Sequence, residues 1–265
     1  MSEEFSSSVA AKFCIFADQG GIRGFRTFAL NGAWKIALDD SLEIFEVTVA
    51  HSRIGWLLGD PIDLVSGRFV DSAVDLPSPP VGETPWQQIC RRFAGSWLYI
   101  ATDGDNIELR PDACATIGTV FEPASRRFAS YACILAQEDY FDRLNQGARA
   151  ANQVDQDGWF TGGLTAHRGI YRLLPNHCVS SSDFVQRRLP VEMPAYTTTP
   201  DAMIEELLHE TRTVISAVRK SRRTYVALTG GNETRALLAA SRDDTHALTF
   251  VTLSYETDSL DLYLS

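Results

Sequence analysis

The sequence predicts an α+β protein in two parts, a sheet-rich sandwich over residues 1–190 followed by the opening of an α/β domain over residues 191–265. Three observations lead there. Four short strand-like runs separated by turn dipeptides fill Ser96 to Ala132. One long amphipathic helix starts at Thr199, and Tyr225 to Leu253 then reads strand, glycine loop, helix, strand. At 265 residues and 45% hydrophobic, the chain has room for two modest domains with buried cores.

Taken in order, Lys12 to Ala17 is a first strand, broken by Gly20-Gly21 and Gly24. Ile36 to His51 alternates as two short strands around the turn pair Asp39-Asp40, and Ile54 to Leu58 is a further strand ending in Gly59-Asp60-Pro61. Leu76 to Pro85 holds four prolines and is a loop. Pro85 to Phe93 is a short helix packing through Trp86, Ile89 and Phe93. Ser96 to Thr102, Ile107 to Arg110, Thr119 to Phe121 and Arg127 to Ala132 are strands separated by turns at Asp103-Gly104-Asp105, Pro111-Asp112 and Glu122-Pro123, an antiparallel meander. The long helix has Thr199 as its cap, Pro200 in its first turn, and Asp201, Glu205 and Glu206 near its positive end. Met203, Ile204, Leu207, Leu208, Thr211, Val214, Ile215 and Val218 recur at helical spacing as a packing face. Arg219-Lys220 and Arg222-Arg223 close it, read as exposed basic residues at a helix end rather than as phosphate ligands.

Charge and composition exclude several function classes. With 24 Lys+Arg against 34 Asp+Glu, the net charge of −10 argues against a nucleic-acid or anionic-membrane surface. The start, MSEEFSSSVAAKF, lacks the apolar core of a signal peptide, and no stretch reaches the roughly 18 apolar residues of a membrane span, so a soluble cytoplasmic protein is expected. Cys14, Cys90, Cys114, Cys133 and Cys178 are odd in number and lack CxxC spacing, which suggests reduced, mostly buried thiols rather than disulfides or zinc. His167 and His177, ten apart without Asp, Glu or Cys in metal spacing, read as hydrogen-bonded structural groups.

The chemistry concentrates in Tyr225 to Ala240, YVALTGGNETRALLAA. Four strand-forming residues run into Thr229-Gly230-Gly231-Asn232, and a helix follows at once. Glycines let the backbone approach a ligand, and the free N–H groups opening a helix favour an anion. Thr229 and Thr234 add hydroxyls. The spacing is neither the phosphate loop G-x-x-x-x-G-K-S/T nor the dinucleotide fingerprint G-x-G-x-x-G. A parallel strand pair with a right-handed crossover places the loop at the C-terminal end of its strand, where open α/β sheets bind ligands.

Thr229-Gly230-Gly231-Asn232-Glu233-Thr234 resembles the SGGxDS pyrophosphate loop of ATP pyrophosphatases of the asparagine synthetase type, with Thr229 and Thr234 for the serines and Glu233 for the aspartate. Further segments share the resemblance. Phe93-Ala94-Gly95-Ser96-Trp97-Leu98-Tyr99-Ile100 is similar to the G-x-F-A-x-x-x-x-D strand of class II glutamine amidotransferase domains, Leu109 to Cys114 to their R-D-x-x-G turn, and Arg127-Phe128-Ala129-Ser130 to their F-A-S-E strand. His167 to His177 resembles the I-x-R-L-x-P-G-H segment leading toward the synthetase half. The resemblance implies a glutaminase-like, Ntn-type sandwich over residues 1–190 and, over residues 191–265, the truncated start of a PP-loop domain of the adenine nucleotide alpha hydrolase-like type.

It also implies an activity: ATP-dependent amide-bond formation between a carboxylate and an amine through an acyl-adenylate, with Mg²⁺. In that scheme the backbone N–H groups of Gly230, Gly231 and Asn232 hold the pyrophosphate of ATP, Thr229 and Thr234 donate hydroxyls, Glu233 helps hold Mg²⁺, and Leu228 and Val251 line the adenine or ribose. No catalytic residue is assigned. Departures from the family are informative. Its glutaminases use an N-terminal cysteine, whereas Ser2 follows Met1 here, and Cys14 lacks the Gly that follows that cysteine. Asn31-Gly32-Ala33 supplies only two letters of the Asn-Gly-Glu oxyanion segment. Lys12, Lys35 and Lys220 are not placed as catalytic lysines, and one strand beyond the loop's helix is short of a doubly wound domain. The expectations are therefore a synthetase that needs a C-terminal portion, a partner chain or a homo-oligomer. The alternatives are a non-catalytic binding or regulatory relic, and a glutaminase released by cleavage before Cys14. Tyr255-Glu256-Thr257-Asp258 and Asp261 are given no role.

Overall fold

The first strand, β1 (Phe13–Phe16), has all four side chains buried, so apolar layers cover both of its faces. It belongs to a computed structural model that describes residues 12–17, 22, 24–156, 158–190 and 199–252. Next in the chain come β2 (Arg26–Ala29), β3 (Lys35–Leu38), β4 (Ile44–Val49), β5 (Ser52–Asp63), β6 (Arg68–Phe69) and β7 (Val74–Leu76). Helix α1 (Pro85–Arg92) leads into β8 (Phe93–Asp103), β9 (Asn106–Pro111), β10 (Val120–Glu122) and β11 (Arg127–Ala129). Helices α2 (Ala132–Ala136) and α3 (Gln146–Ala151) precede β12 (Tyr171–Arg172), β13 (His177–Ser180) and β14 (Gln186–Arg188). Last come α4 (Pro200–Ser221), β15 (Tyr225–Ala227), α5 (Asn232–Ala240) and β16 (Thr249–Val251). Two compact units result, one of residues 12–61, 70–91 and 95–190, the other of residues 62–69, 92–94 and 199–252. The two short excursions in the second set are invisible to a contiguous division of the sequence.

In the first unit one sheet is ordered β12-β10-β11-β1-β3-β2, all antiparallel. A second is ordered β14-β13-β9-β8-β5-β4-β7, with β4 and β7 parallel. The period-two rule explains how they pack. Phe13 and Ile15, with Ile36, Leu38 and Phe128, share one core with Leu58, Leu98, Ile100 and Leu109 of the other sheet. Cys14 and Phe16 point the opposite way, onto Ala37, Val120 and Ala129 and under Leu135 and Ala136 of α2. On the far side, Trp97 and Tyr99 alternate with Leu98 and Ile100 and meet Trp86 of α1 at ring distances of 5.9 and 6.1 Å. The layers are helix, sheet, sheet, helix, an α+β sandwich as the composition of elements predicts. Fully buried side chains such as Phe13 and Phe128 each contribute about 1.5–3 kcal/mol.

Two expectations are corrected. The four strands from residue 93 to 129 do not form one meander: β8 and β9 pair in the second sheet, β10 and β11 in the first. Buried Asp112 fixes the corner where the chain changes sheets. Its carboxylate accepts from the backbone N–H of Trp97 (3.2 Å), Cys114 (2.9 Å) and Thr116 (3.1 Å), and from the Thr116 hydroxyl. Nor does a strand end at Gly59-Asp60-Pro61, because β5 runs on to Asp63. Gly59 adopts φ +111°, and a Cβ there would lie 2.6 Å from the Ser96 carbonyl oxygen, so glycine permits a close strand approach rather than a break. Pro61 falls between the β4 ladder, which ends at Leu58, and the β6 ladder, which begins at Ile62, so its missing donor interrupts neither.

In the second unit, Asp63 accepts two bonds from Arg92 (3.1 and 3.0 Å). Burial works to raise its carboxyl pKa, but bonds from Arg92, Val65 and Ser66 outweigh that and hold it below the usual value. Helix α4 begins as expected, Thr199 Oγ1 accepting from the Ala202 N–H (3.4 Å). Its apolar face packs only in part: Ala217 is buried, while Met203, Ile204 and Leu207 are 42–64% exposed. Strands β15 and β16 are parallel, Val226 opposite Phe250, with α5 as the crossover. Among the described residues no helix is long and apolar enough to cross a membrane.

Candidate functional site

The loop after β15 is built from its ladder. Leu228 N–H donates to the Val251 carbonyl (2.9 Å), and the Thr252 hydroxyl donates to the Leu228 carbonyl (2.7 Å). The pairing thus continues one residue past β15 and brings Leu228 and Val251 together at the C-terminal edge. Gly231 then caps α5 with φ −71° and ψ 156°, and no side-chain cap bond forms there among the described residues. Asn232, Glu233 and Thr234 occupy the first turn, whose N–H groups have no intrahelical acceptor by helix geometry.

The two threonines lock the loop onto itself. Thr234 Oγ1 accepts from the Thr229 N–H (3.1 Å), lies 3.0 Å from Thr229 Oγ1, and is within 3.0 Å of the Thr229 carbonyl and 3.2 Å of the Gly231 carbonyl. Thr229 Oγ1 in turn accepts from the Gly231 N–H (3.2 Å). A hydroxyl has one proton, so in this conformation both hydroxyls serve the turn, and an incoming phosphate must compete for them. Glu233 comes close as well: a Cβ on Gly231 would sit 3.1 Å from Glu233 Oε2 and 3.3 Å from Thr229 Oγ1. Side chain and backbone therefore converge on the space beside Gly231, which a methyl group would fill.

That donor set suits an anion held with a metal. Glycine backbone, a helix start with no side-chain cap bond among the described residues and two hydroxyls could hold a pyrophosphate, and a single carboxylate could join the sparse protein ligation of a Mg²⁺ bound mainly through phosphate oxygens. Among the described residues no group of three or more His, Cys, Asp or Glu side chains could hold a metal by itself. Arg235, which the sequence reading passed over, donates to the Asn232 side-chain carbonyl and stands one turn into the helix. Its place four residues after Gly231 was the available signal, since i and i+4 residues share a helix face.

The other candidates resolve as structural groups. Cys14 is 5% exposed, paired in register with Ala37 and Ala129 on either side, and burial outweighs nearby Arg127 to push its thiol up to about 11. A thiol so placed is a poor nucleophile, and cleavage before it would remove the fully buried Phe13. Asn31 supports a turn: its Oδ1 accepts from Ala33 and Trp34 N–H groups, and its Nδ2 donates to the Gly104 and Asn106 carbonyls. His177 Nδ1 lies 2.8 Å from the Pro175 carbonyl, as a structural histidine should. His167 departs from that expectation, because it is buried against Tyr140 and neither ring nitrogen has a partner among the described residues. Gly20-Gly21, Tyr255 to Asp258 and Asp261 lie outside the described residues. A scan against protein-family models returns no matching family, and a search of curated proteins returns no match.

Proposed function

We propose that the chain carries the ATP-binding portion of an asparagine synthetase-like ligase, which uses ATP and Mg²⁺ to activate a carboxylate for attack by an amine. The observation that carries this reading is the parallel pair β15–β16 with the glycine loop at its C-terminal edge, the start of α5 with no side-chain cap bond among the described residues, and Thr229, Gly231, Glu233 and Thr234 converging beside it. In this proposal the N–H groups of Gly230, Gly231 and Asn232 hold the nucleotide's pyrophosphate. Thr229 and Thr234 turn their hydroxyls from each other toward it, Glu233 meets Mg²⁺, and Leu228 and Val251 flank the adenine or ribose. A parallel sheet needs cover on both faces, so the proposed catalytic unit pairs β15–β16 with a partner chain or a second copy.

The first unit fits as a glutaminase-like, Ntn-type scaffold without amide hydrolysis, a reading supported by its helix, sheet, sheet, helix layering and by the inaccessible Cys14 thiol. All five cysteines are free, which favours a reducing compartment such as the cytoplasm. Calorimetric titration of the full chain with ATP tests the proposal: saturable, Mg²⁺-dependent binding is expected, with the metal dependence lost in Glu233→Gln.

The mutual lock of Thr229 and Thr234 favours one second reading, a binding or regulatory relic of this family whose loop no longer opens. It predicts no heat with ATP at any Mg²⁺ concentration.

A further inference from the structure

Helix α4 carries His209, Arg212, Ser216 and Lys220 at steps of three and four residues, which puts them on one face. With Ser66 and Gly67 of the turn between β5 and β6 they line a groove of about 360 Å³, within the range of small-molecule sites. Its two strong cations have no ion-pair partner among the described residues. Among the described residues neither Arg212 nor Lys220 has a carboxylate within 4.0 Å, in a chain of net charge −10.

Four other arginines of the unit are engaged: Arg92 with Asp63, Arg222 over Phe69 at 4.9 Å, Arg223 over Tyr225 at 5.2 Å, and Arg235 with Asn232. Asp63, three residues before Ser66 at the end of β5, does not line the groove. Asp63 is already bound by Arg92, by Ser66 and by the Val65 N–H. Glu205 continues the same helix face one turn before His209 but does not line the groove.

Arg212 and Lys220 are eight residues apart, about 12 Å along the helix axis, and both line the groove with Ser216 between them in sequence. An arginine fork, a lysine point charge, a hydroxyl and an imidazole along that distance suit an extended oxyanion better than a single small ion.

We propose that this groove is a second anion site that takes a compact polyanion through its phosphate or carboxylate oxygens, with Arg212 and Lys220 as the principal donors. The site is separate from the glycine loop and does not rest on the ATP reading. Ala240, which lines the groove, ends α5, whereas Gly231 caps its other end.

The test titrates the full chain with pyrophosphate and with citrate, in EDTA and at constant ionic strength, by calorimetry and by amide NMR. One of the two anions is expected to bind saturably and to shift the Gly67 and Ser216 amides in the unmodified protein, and which one does so identifies the oxyanion. Binding should weaken about tenfold or more in the Arg212→Gln/Lys220→Gln variant and stay unchanged in Gly231→Ala. Saturation by neither anion, equal binding by the double variant, or shifts confined to residues 229–234 would each overturn the proposal. The wild-type amide shifts decide the matter even if the double variant does not fold.

Discussion

Replacing Gly231 with alanine separates the loop's role in the fold from its proposed role in a ligand site. The backbone there, φ −71° and ψ 156°, is open to any residue, so alanine introduces no backbone strain. The new methyl would sit 3.1 Å from Glu233 Oε2 and 3.3 Å from Thr229 Oγ1, the ends of two side chains that need give only a few tenths of an ångström. Alanine is the poorer cap, by about 0.5–1 kcal/mol, and a less flexible unfolded chain returns about 0.4–1 kcal/mol. Net stability should therefore stay within about 1 kcal/mol of the parent in urea unfolding. Binding should not. Displacing one charge-assisted contact costs about 1.5–3 kcal/mol, roughly a 10- to 100-fold weaker Kd for Mg²⁺-ATP by calorimetry. A folded Gly231→Ala protein that binds ATP as tightly as the parent would refute the cradle, and a loss of several kcal/mol in stability would make the glycine structural.

Three further outcomes are expected. At pH 8 a brief iodoacetamide pulse should label exposed Cys114 and Cys133, while Cys14, whose burial holds its thiol near 11, reacts only on unfolding; peptide mapping that finds Cys14 labelled first would contradict its assignment. Burial, with Arg143 nearby, depresses the folded pKa of His167 below the ordinary 6.5, so the unfolded state takes up the proton first. The contribution to stability is present above pH 6.5 and is lost as pH falls through the depressed value. His167→Phe keeps the ring against Tyr140, so it should add about 1 kcal/mol at pH 7 and flatten the acid side of the stability profile, and an unchanged profile would count against this account. Asp112→Ala removes the acceptor of the Trp97, Cys114 and Thr116 N–H groups and should cost about 2–4 kcal/mol in urea unfolding, with Asp112→Asn losing less.

Local signals were the legible part of this fold. Thr199-Pro200 marks the start of α4 because capping is decided within four residues, and TGGNET marks a strand-to-helix junction for the same reason. Strands β8 to β11 were found as elements but assigned to one sheet, because Asp112 turns the chain between sheets through bonds to Trp97, fifteen residues earlier in sequence. The continuity of β5 through Gly59 depended on the Ser96 carbonyl packing against it, which no reading of residues 54–61 contains. Helices α2 and α3, of five and six residues, are too short for a periodic pattern. At the candidate site the residue types and their convergence could be read from the sequence. That Thr229 and Thr234 bond each other could not, because it depends on side-chain rotamers in the turn.

The most direct measurement follows the backbone amides of residues 229–234 by NMR while the full chain is titrated with a non-hydrolysable ATP analogue and Mg²⁺. A bound pyrophosphate should move the Gly230, Gly231 and Asn232 amides together, saturably and only with the metal present, and should alter the Thr229 and Thr234 resonances as their mutual bond opens. Amides that stay in place while the loop remains ordered would contradict the claim that this turn is a nucleotide site.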